Sequence, residues 1–193
     1  MAANYLRSAW IENEGNGNFT FHELPRVAQL APLFGLQTLD LDADGYEDLI
    51  AIGNDYGAET GTGMQDALNG LLLRFDPTSK QFTPVEDDAF FVPGNGRSLT
   101  VVDIQGQAGL IAAENQGPTY AYTLTRAAEA YTRVVVPPDA QRVVYTLPGG
   151  GQSLTEVYHG SGYLSQRSRT VWLPAGSTHV EVVTFSGQDS LSR

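Results

Sequence analysis

Short apolar runs, each bounded by Gly, Pro, Asn or Asp, set the strongest limit on how this chain folds. Leu36–Leu39, Asp48–Ile52, Leu71–Phe75, Ser98–Ile104, Leu110–Ala113, Tyr120–Leu124, Tyr131–Val136, Arg142–Leu147, Thr155–Tyr158, Thr170–Leu173 and His179–Phe185 are rich in Val, Leu, Thr, Tyr and Phe. Each is close to the ~5–6 residues of a typical strand. No long stretch repeats its apolar residues every 3.6 positions, and Thr125–Ala130 is long enough for one helical turn at most. The pattern predicts an all-β fold of many short strands. With 193 residues, of which 41% are hydrophobic and 17% charged, the chain is long enough to build a real core.

An internal offset organises these runs. Asn18-Phe19 recurs as Gln81-Phe82, and Thr38-Leu39-Asp40 as Val101-Val102-Asp103, both 63 residues on. Beyond the aspartates the offset falls to 61: Leu49-Ile50-Ala51 becomes Leu110-Ile111-Ala112, and Asn54 becomes Asn115. The second copy therefore keeps two strands on a shorter loop. A third trace of the strand pair is read at Tyr120–Leu124 and Tyr131–Val136. The unit is strand, acidic loop, strand, insert, strand, turn, strand, and four strands per unit is the anatomy of a propeller blade.

The acidic loop reads Asp40-Leu41-Asp42-Ala43-Asp44-Gly45-Tyr46-Glu47-Asp48, or D-x-D-x-D-G-x-x-D. Carboxylates at its positions 1, 3 and 5 can converge on one point, and the glycine at 6 permits the sharp turn. The Tyr46 carbonyl takes position 7 and Asp48 closes the set at position 9. Four carboxylates this close repel unless a cation sits among them. All-oxygen ligands favour Ca²⁺, and the expected set is Asp40, Asp42, Asp44, Tyr46 and Asp48. An EF-hand is excluded: its position 12 is Glu, here it is Ala51, and a strand-like run follows in place of a helix. A solvated acidic turn is the alternative. The second copy, Asp103–Gly109, keeps one carboxylate on a loop too short to wrap an ion, and reads as a plain turn.

At these residues the unit resembles the VCBS/FG-GAP repeat, the blade of integrin-α-like β-propellers. The resemblance implies Ca²⁺ between the first two strands of a blade, on the five residues just named. Asn13–Phe19 resembles the family's Asn-x-Gly-x-Gly-x-Phe turn between the third and fourth strands, and Asp76–Phe82 is a degenerate version. Gly160–Gln166, with Val180-Glu181-Val182 and Ser186-Gly187, resembles the ASPIC/UnbV module that often ends bacterial VCBS-repeat proteins. The module's His-Phe-Gly-Leu-like segment is absent, and Thr170–Pro174 stands in its place. The implied organisation is incomplete propeller blades over residues 1–134, about two and a half four-stranded units, then a C-terminal β module over 135–193.

A ring of ~4–8 blades cannot close on these units. The resemblance therefore implies a C-terminal fragment, with further blades and an export signal upstream. Residues 1–11 hold no apolar core of a signal peptide. The implied address is secreted or cell-surface, and the implied role is a non-enzymatic, calcium-stabilised binding or adhesion scaffold. An incomplete propeller leaves a strand at Trp10 or Phe19 open, which predicts an edge-strand homodimer or an edge covered by the C-terminal module.

Other features narrow the function. Twenty-two acidic against eleven basic residues, a net charge of −11, argue against nucleic acid and anionic membrane surfaces as partners. No apolar run approaches the ~18 residues of a membrane span, so no membrane insertion is expected. Without cysteine there is no disulfide framework and no thiol chemistry. His22, His159 and His179 are isolated, and Gly160-Ser161-Gly162 is not a nucleophile elbow. The insert Asn54–Gly70 supports an alternative, lectin-like reading: Asp55, Tyr56, Glu59 and Asp66 among glycines could bind a glycan or peptide over a rigid sheet. Near the C-terminus, Tyr163 and Leu164 are expected to be buried, and Arg167 and Arg169 solvated.

Overall fold

A computed structural model describes residues 2–61, 63–86, 89–124, 130–160 and 168–191. Most of the expected helical turn at 125–130 lies outside the described residues. So does 161–167, which holds most of the ASPIC/UnbV-like motif with Tyr163, Leu164 and Arg167.

The protein is all-β, with several antiparallel sheets, none of them closed. A hairpin of β1 (Ala9–Gly15) and β2 (Asn18–Glu23) leads through a one-turn 3-10 helix, Arg26–Gln29, into a four-stranded meander. The meander is β3 (Leu33–Leu39), β4 (Asp48–Gly53), β5 (Leu71–Asp76) and β6 (Gln81–Pro84), hydrogen-bonded in that order. A three-stranded sheet follows: β7 (Gly96–Ile104), β8 (Gln107–Glu114) and β9 (Thr119–Thr123). Next come β10 (Tyr131–Val135), β11 (Ala140–Thr146), β12 (Gln152–Glu156), β13 (Thr170–Pro174), β14 (Thr178–Thr184) and β15 (Gln188–Leu191). β10 pairs with β13, while β12, β11, β14 and β15 form a second four-stranded sheet.

Turn chemistry explains the hairpins. Gly15 pairs with Asn18 across Asn16-Gly17, whose φ angles are 53° and 79°. Positive φ at both central residues is the type I′ turn that follows strand twist, and Asn-Gly is its preferred dipeptide. Gln105-Gly106 joins β7 to β8 the same way, with φ of 54° and 88°. Asp103 accepts the Gly106 N–H at 2.6 Å and pairs with Arg133. The shortened second loop is thus a two-residue turn.

The offset seen in the sequence has a structural counterpart. β3 and β7 begin 63 residues apart, at Leu33 and Gly96, and β4 and β8 end 61 apart, at Gly53 and Glu114. The residue after the second strand donates its N–H to the residue before the first in both places. Asn54 donates to Pro32 at 3.1 Å and Asn115 to Asn95 at 2.8 Å. The third trace is corrected: β9 joins the sheet of β7 and β8, whereas β10 pairs with β13, so the two runs are not a strand pair. Sheet membership is decided by pairing partners distant in sequence, which a local run of Val and Tyr does not encode.

Two compact units can be distinguished, one holding β1 to β6 and the other β10 to β15. In the first, Leu24, Ala28, Ala31, Ala51, Leu68, Leu71 and Leu73 are buried together, with Trp10 and Phe82 packed against them. In the second, Val134, Val143, Tyr145, Val171, Leu173 and Val182 form the core. Arg169, expected to be solvated, is instead partly buried: its Nη2 donates to the carbonyls of Pro137, Pro138 and Ala140 at 2.8–3.0 Å. Pro137 and Pro138 carry no N–H, so the turn has more acceptors than donors: the Ala140 N–H reaches the Pro137 carbonyl at 3.1 Å, and the guanidinium supplies the further donors. No helix among the described residues is long and apolar enough to cross a membrane.

Candidate metal centre

The acidic loop connects β3 to β4 and starts and ends on the register pair Leu39–Asp48. Ala43 and Gly45 take φ of 64° and 92°, the left-handed region that lets a short loop fold back on itself. Glycine carries no steric cost there, and no heavy atom lies within 4 Å of where a Gly45 Cβ would be.

That curl points backbone donors at the first carboxylate. Asp40 Oδ1 accepts the Asp44 N–H at 3.1 Å, and Oδ2 accepts the Gly45 N–H at 2.9 Å. Asp42 Oδ1 accepts the same Asp44 N–H at 3.3 Å. The Tyr131 hydroxyl donates to the Asp40 carbonyl oxygen at 2.8 Å. Asp48 is 1% exposed, and its Oδ1 accepts the Phe75 N–H from β5 at 2.9 Å.

Asp40, Asp42 and Asp48 each offer a carboxylate oxygen, and these oxygens lie within 4.8 Å of one another. Two ligands of one Ca²⁺ at ~2.3–2.6 Å can be no more than ~4.6–5.2 Å apart, so the spacing fits that ion. The donor set fits as well, being hard oxygen throughout. Asp40 and Asp48 are buried, and ionised carboxylates withdrawn from water in one place are held only with compensation. Asp44 and Tyr46 are exposed, and the group of three does not include the Asp44 carboxylate. The Tyr46 ring lies 6.2 Å from that of Phe75.

The insert is anchored by a residue that the sequence reading left without a role. Asn54 is fully buried with φ of 78°. Its Nδ2 donates to the carbonyls of Leu68, Pro93 and Gly94 at 2.6–3.0 Å, and its Oδ1 accepts the Leu68 N–H at 3.0 Å. Its recurrence at Asn115 was the one signal in the sequence that marked it.

Of the four insert candidates, Asp55 has a structural task. It exchanges backbone hydrogen bonds with Gln65, and its Oδ1 accepts from the Gly57 N–H at 3.0 Å and from Arg97 Nη2 at 2.8 Å. The Arg97 guanidinium lies 3.8 Å from the Phe34 ring centroid, a cation–π contact. Tyr56 is 40% exposed, and Glu59 and Asp66 are exposed.

The Gly57 N–H, followed by the Arg97 guanidinium, holds the Asp55 carboxyl below the usual carboxylate range. A depressed folded-state pKa stabilises above the unfolded value, ~3.9, and that stability is lost as pH falls through the folded one. Asp55→Asn is therefore expected to lower the melting temperature at neutral pH and to flatten its decline below about pH 4. Melting curves from neutral to acid pH check this, and parallel curves for the two proteins would refute it. The effect is modest, because the pair is solvent-screened.

A second network, also absent from the sequence reading, ties the first hairpin to the β5–β6 turn. Glu12 accepts from Lys80 Nζ at 2.6 Å and meets His22 Nε2 at 2.9 Å. His22 stacks on Trp10 with ring centroids 4.2 Å apart. Lys80, and then His22, hold the Glu12 carboxyl below its ordinary value.

No protein-family model matches the chain, and no curated protein matches it.

Proposed function

We propose that this chain is a non-enzymatic, Ca²⁺-stabilised binding or adhesion scaffold of a secreted or cell-surface protein. On this reading the β3–β6 meander is a propeller blade of the VCBS/FG-GAP kind, and the C-terminal strands are an ASPIC/UnbV-like module. The convergence of Asp40, Asp42 and Asp48 in one loop carries the proposal. When bound, the ion neutralises carboxylates that otherwise repel. The protein's own part is to hold them in place: Asp48 is fixed by the Phe75 N–H, and Asp40 by the loop's N–H groups. The loop then pins β3 to β4 and offers a rigid edge to a partner.

Calorimetric titration should find one Ca²⁺ site per chain, lost in Asp42→Ala and in Asp48→Ala, with Mg²⁺ a poor substitute because it prefers octahedral geometry at ~2.0–2.1 Å. A ligand that binds only the folded state stabilises it by RT ln(1 + [L]/Kd). For a module with Kd of ~10⁻⁴–10⁻³ M, millimolar Ca²⁺ raises stability by about 1 kcal/mol. Asp40→Asn/Asp44→Asn should abolish that gain. If the melting temperature of the metal-stripped protein is the same in EDTA and in millimolar Ca²⁺, the loop is a solvated turn and the proposal fails.

A further inference from the structure

The hairpin β1–β2 turns Ile11, Phe19 and Phe21 outward. Register places Ile11 opposite Phe21 and Asn13 opposite Phe19. The β5–β6 hairpin has the same layout, with Leu73 opposite Pro84 and Phe75 opposite Phe82. The two faces therefore correspond pair by pair, yet their surroundings differ.

On β5–β6 the face is covered except at Pro84, which is exposed. Leu73 is fully buried, and Trp10 meets Phe75 and Phe82 edge-on at 5.6 and 6.3 Å. On β1–β2 the corresponding face is open: Ile11 is 54% exposed, Phe19 58% and Phe21 57%. Tyr5, 46% exposed and 5.5 Å from the Phe21 ring, extends it. The hairpin's inner face is already used, with Trp10, Glu12 and His22 turned toward β5, β6 and Lys80. What remains is an outward sheet face of large apolar residues, with the Arg7–Glu23 ion pair beside it.

We infer that a second copy of this chain docks on this face, hairpin against hairpin about a two-fold axis. Area supports that occupant. Large side chains of about 150–250 Å² each, half exposed, present on the order of 400 Å² per copy. With Asn13, Arg7 and Glu23 around them, a face-to-face pair reaches the ~1,000 Å² that a specific interface needs. Charge permits it: two chains of net charge −11 repel, but the charged groups beside this face, Arg7 and Glu23, pair within each copy and bring no net charge to the contact. This dimer is made by sheet faces, leaves the strand edges unpaired, and does not depend on the metal loop.

Sedimentation equilibrium of the full chain in EDTA tests it. At about 100 μM, where an interface of μM affinity is saturated, the mass should be twice the 20.8 kDa of one chain. Phe19→Thr/Phe21→Thr keeps strand propensity at exposed positions and should give a monomer with unchanged far-UV circular dichroism. Phe19→Glu is the second variant. It changes one exposed side chain, sets two carboxylates near the axis, and should weaken association about tenfold or more. A wild type that stays monomeric at this concentration overturns the inference. So does a dimer whose dissociation constant is unchanged in a folded variant.

Discussion

Asn54→Ala is expected to reduce the unfolding free energy by about 3–5 kcal/mol, read as a lower urea midpoint with unchanged slope. The Asn54 amide is fully buried and serves the backbone at Leu68, Pro93 and Gly94. Alanine removes every one of those bonds and leaves the Leu68 N–H buried without its acceptor, at about 1–3 kcal/mol for that group alone. Alanine at φ of 78° adds strain of about 1–2 kcal/mol, which asparagine tolerates better. Asn54→Gly separates the two causes, since it relieves the dihedral and still loses the bonds. With its anchor gone, residues 54–70 should also be cut faster by a protease. A loss below about 1 kcal/mol in both variants would show that the amide is not the anchor described.

Gly53→Ala should be nearly as damaging, for a steric reason. A Cβ at Gly53 would fall inside the contact distance of the Pro32 carbonyl oxygen, and only 3.0 Å from its carbon and 3.3 Å from Leu33 Cα. These are backbone atoms, so no rotamer change relieves the overlap. The strands must part where Leu33 pairs with Gly53 and where Asn54 donates to Pro32. Overpacking with loss of those bonds costs about 3 kcal/mol or more. Gly61→Ala is the control: nothing lies within 4 Å of its Cβ position, and its effect should stay within about 0.5 kcal/mol. Equal urea midpoints for the two alanine variants would contradict the argument.

Strand content was readable because half-buried strands alternate on a period of two, and these runs are rich in β-formers. β4, β5, β7 and β11 fall close to where that pattern places them. Elements without an apolar signature were missed or displaced. β15, Gln188–Leu191, is mostly polar, and β12 runs over Gln152–Glu156 where the run suggested Thr155–Tyr158. β3 begins at Leu33, three residues before its run, because pairing with Gly53 extends it. In the candidate site, the spacing of Asp40, Asp42 and Asp48 was visible, and the three do come together. Asp44 has the same spacing, but its carboxylate is not among them. A loop's curl is decided by its hydrogen bonds, and the Asp44 backbone donates to Asp40 while its side chain is exposed.

By itself the sequence determined the local chemistry: an all-β chain, turns within Asn13–Phe19 and Asp103–Gly109, and carboxylates repeated within nine residues. Each of these rests on neighbours a few positions apart, and spacing of that kind is written in the order of residues. Only the tertiary structure decided that the Phe75 N–H holds Asp48, that Asn54 ties the insert to Pro93 and Gly94, that Arg97 takes Asp55, and that Arg169 caps the Pro137–Ala140 turn. These partners are 27 to 42 residues apart. A buried donor or acceptor must be satisfied by whatever group the packing brings near it, and no period in the sequence names that group.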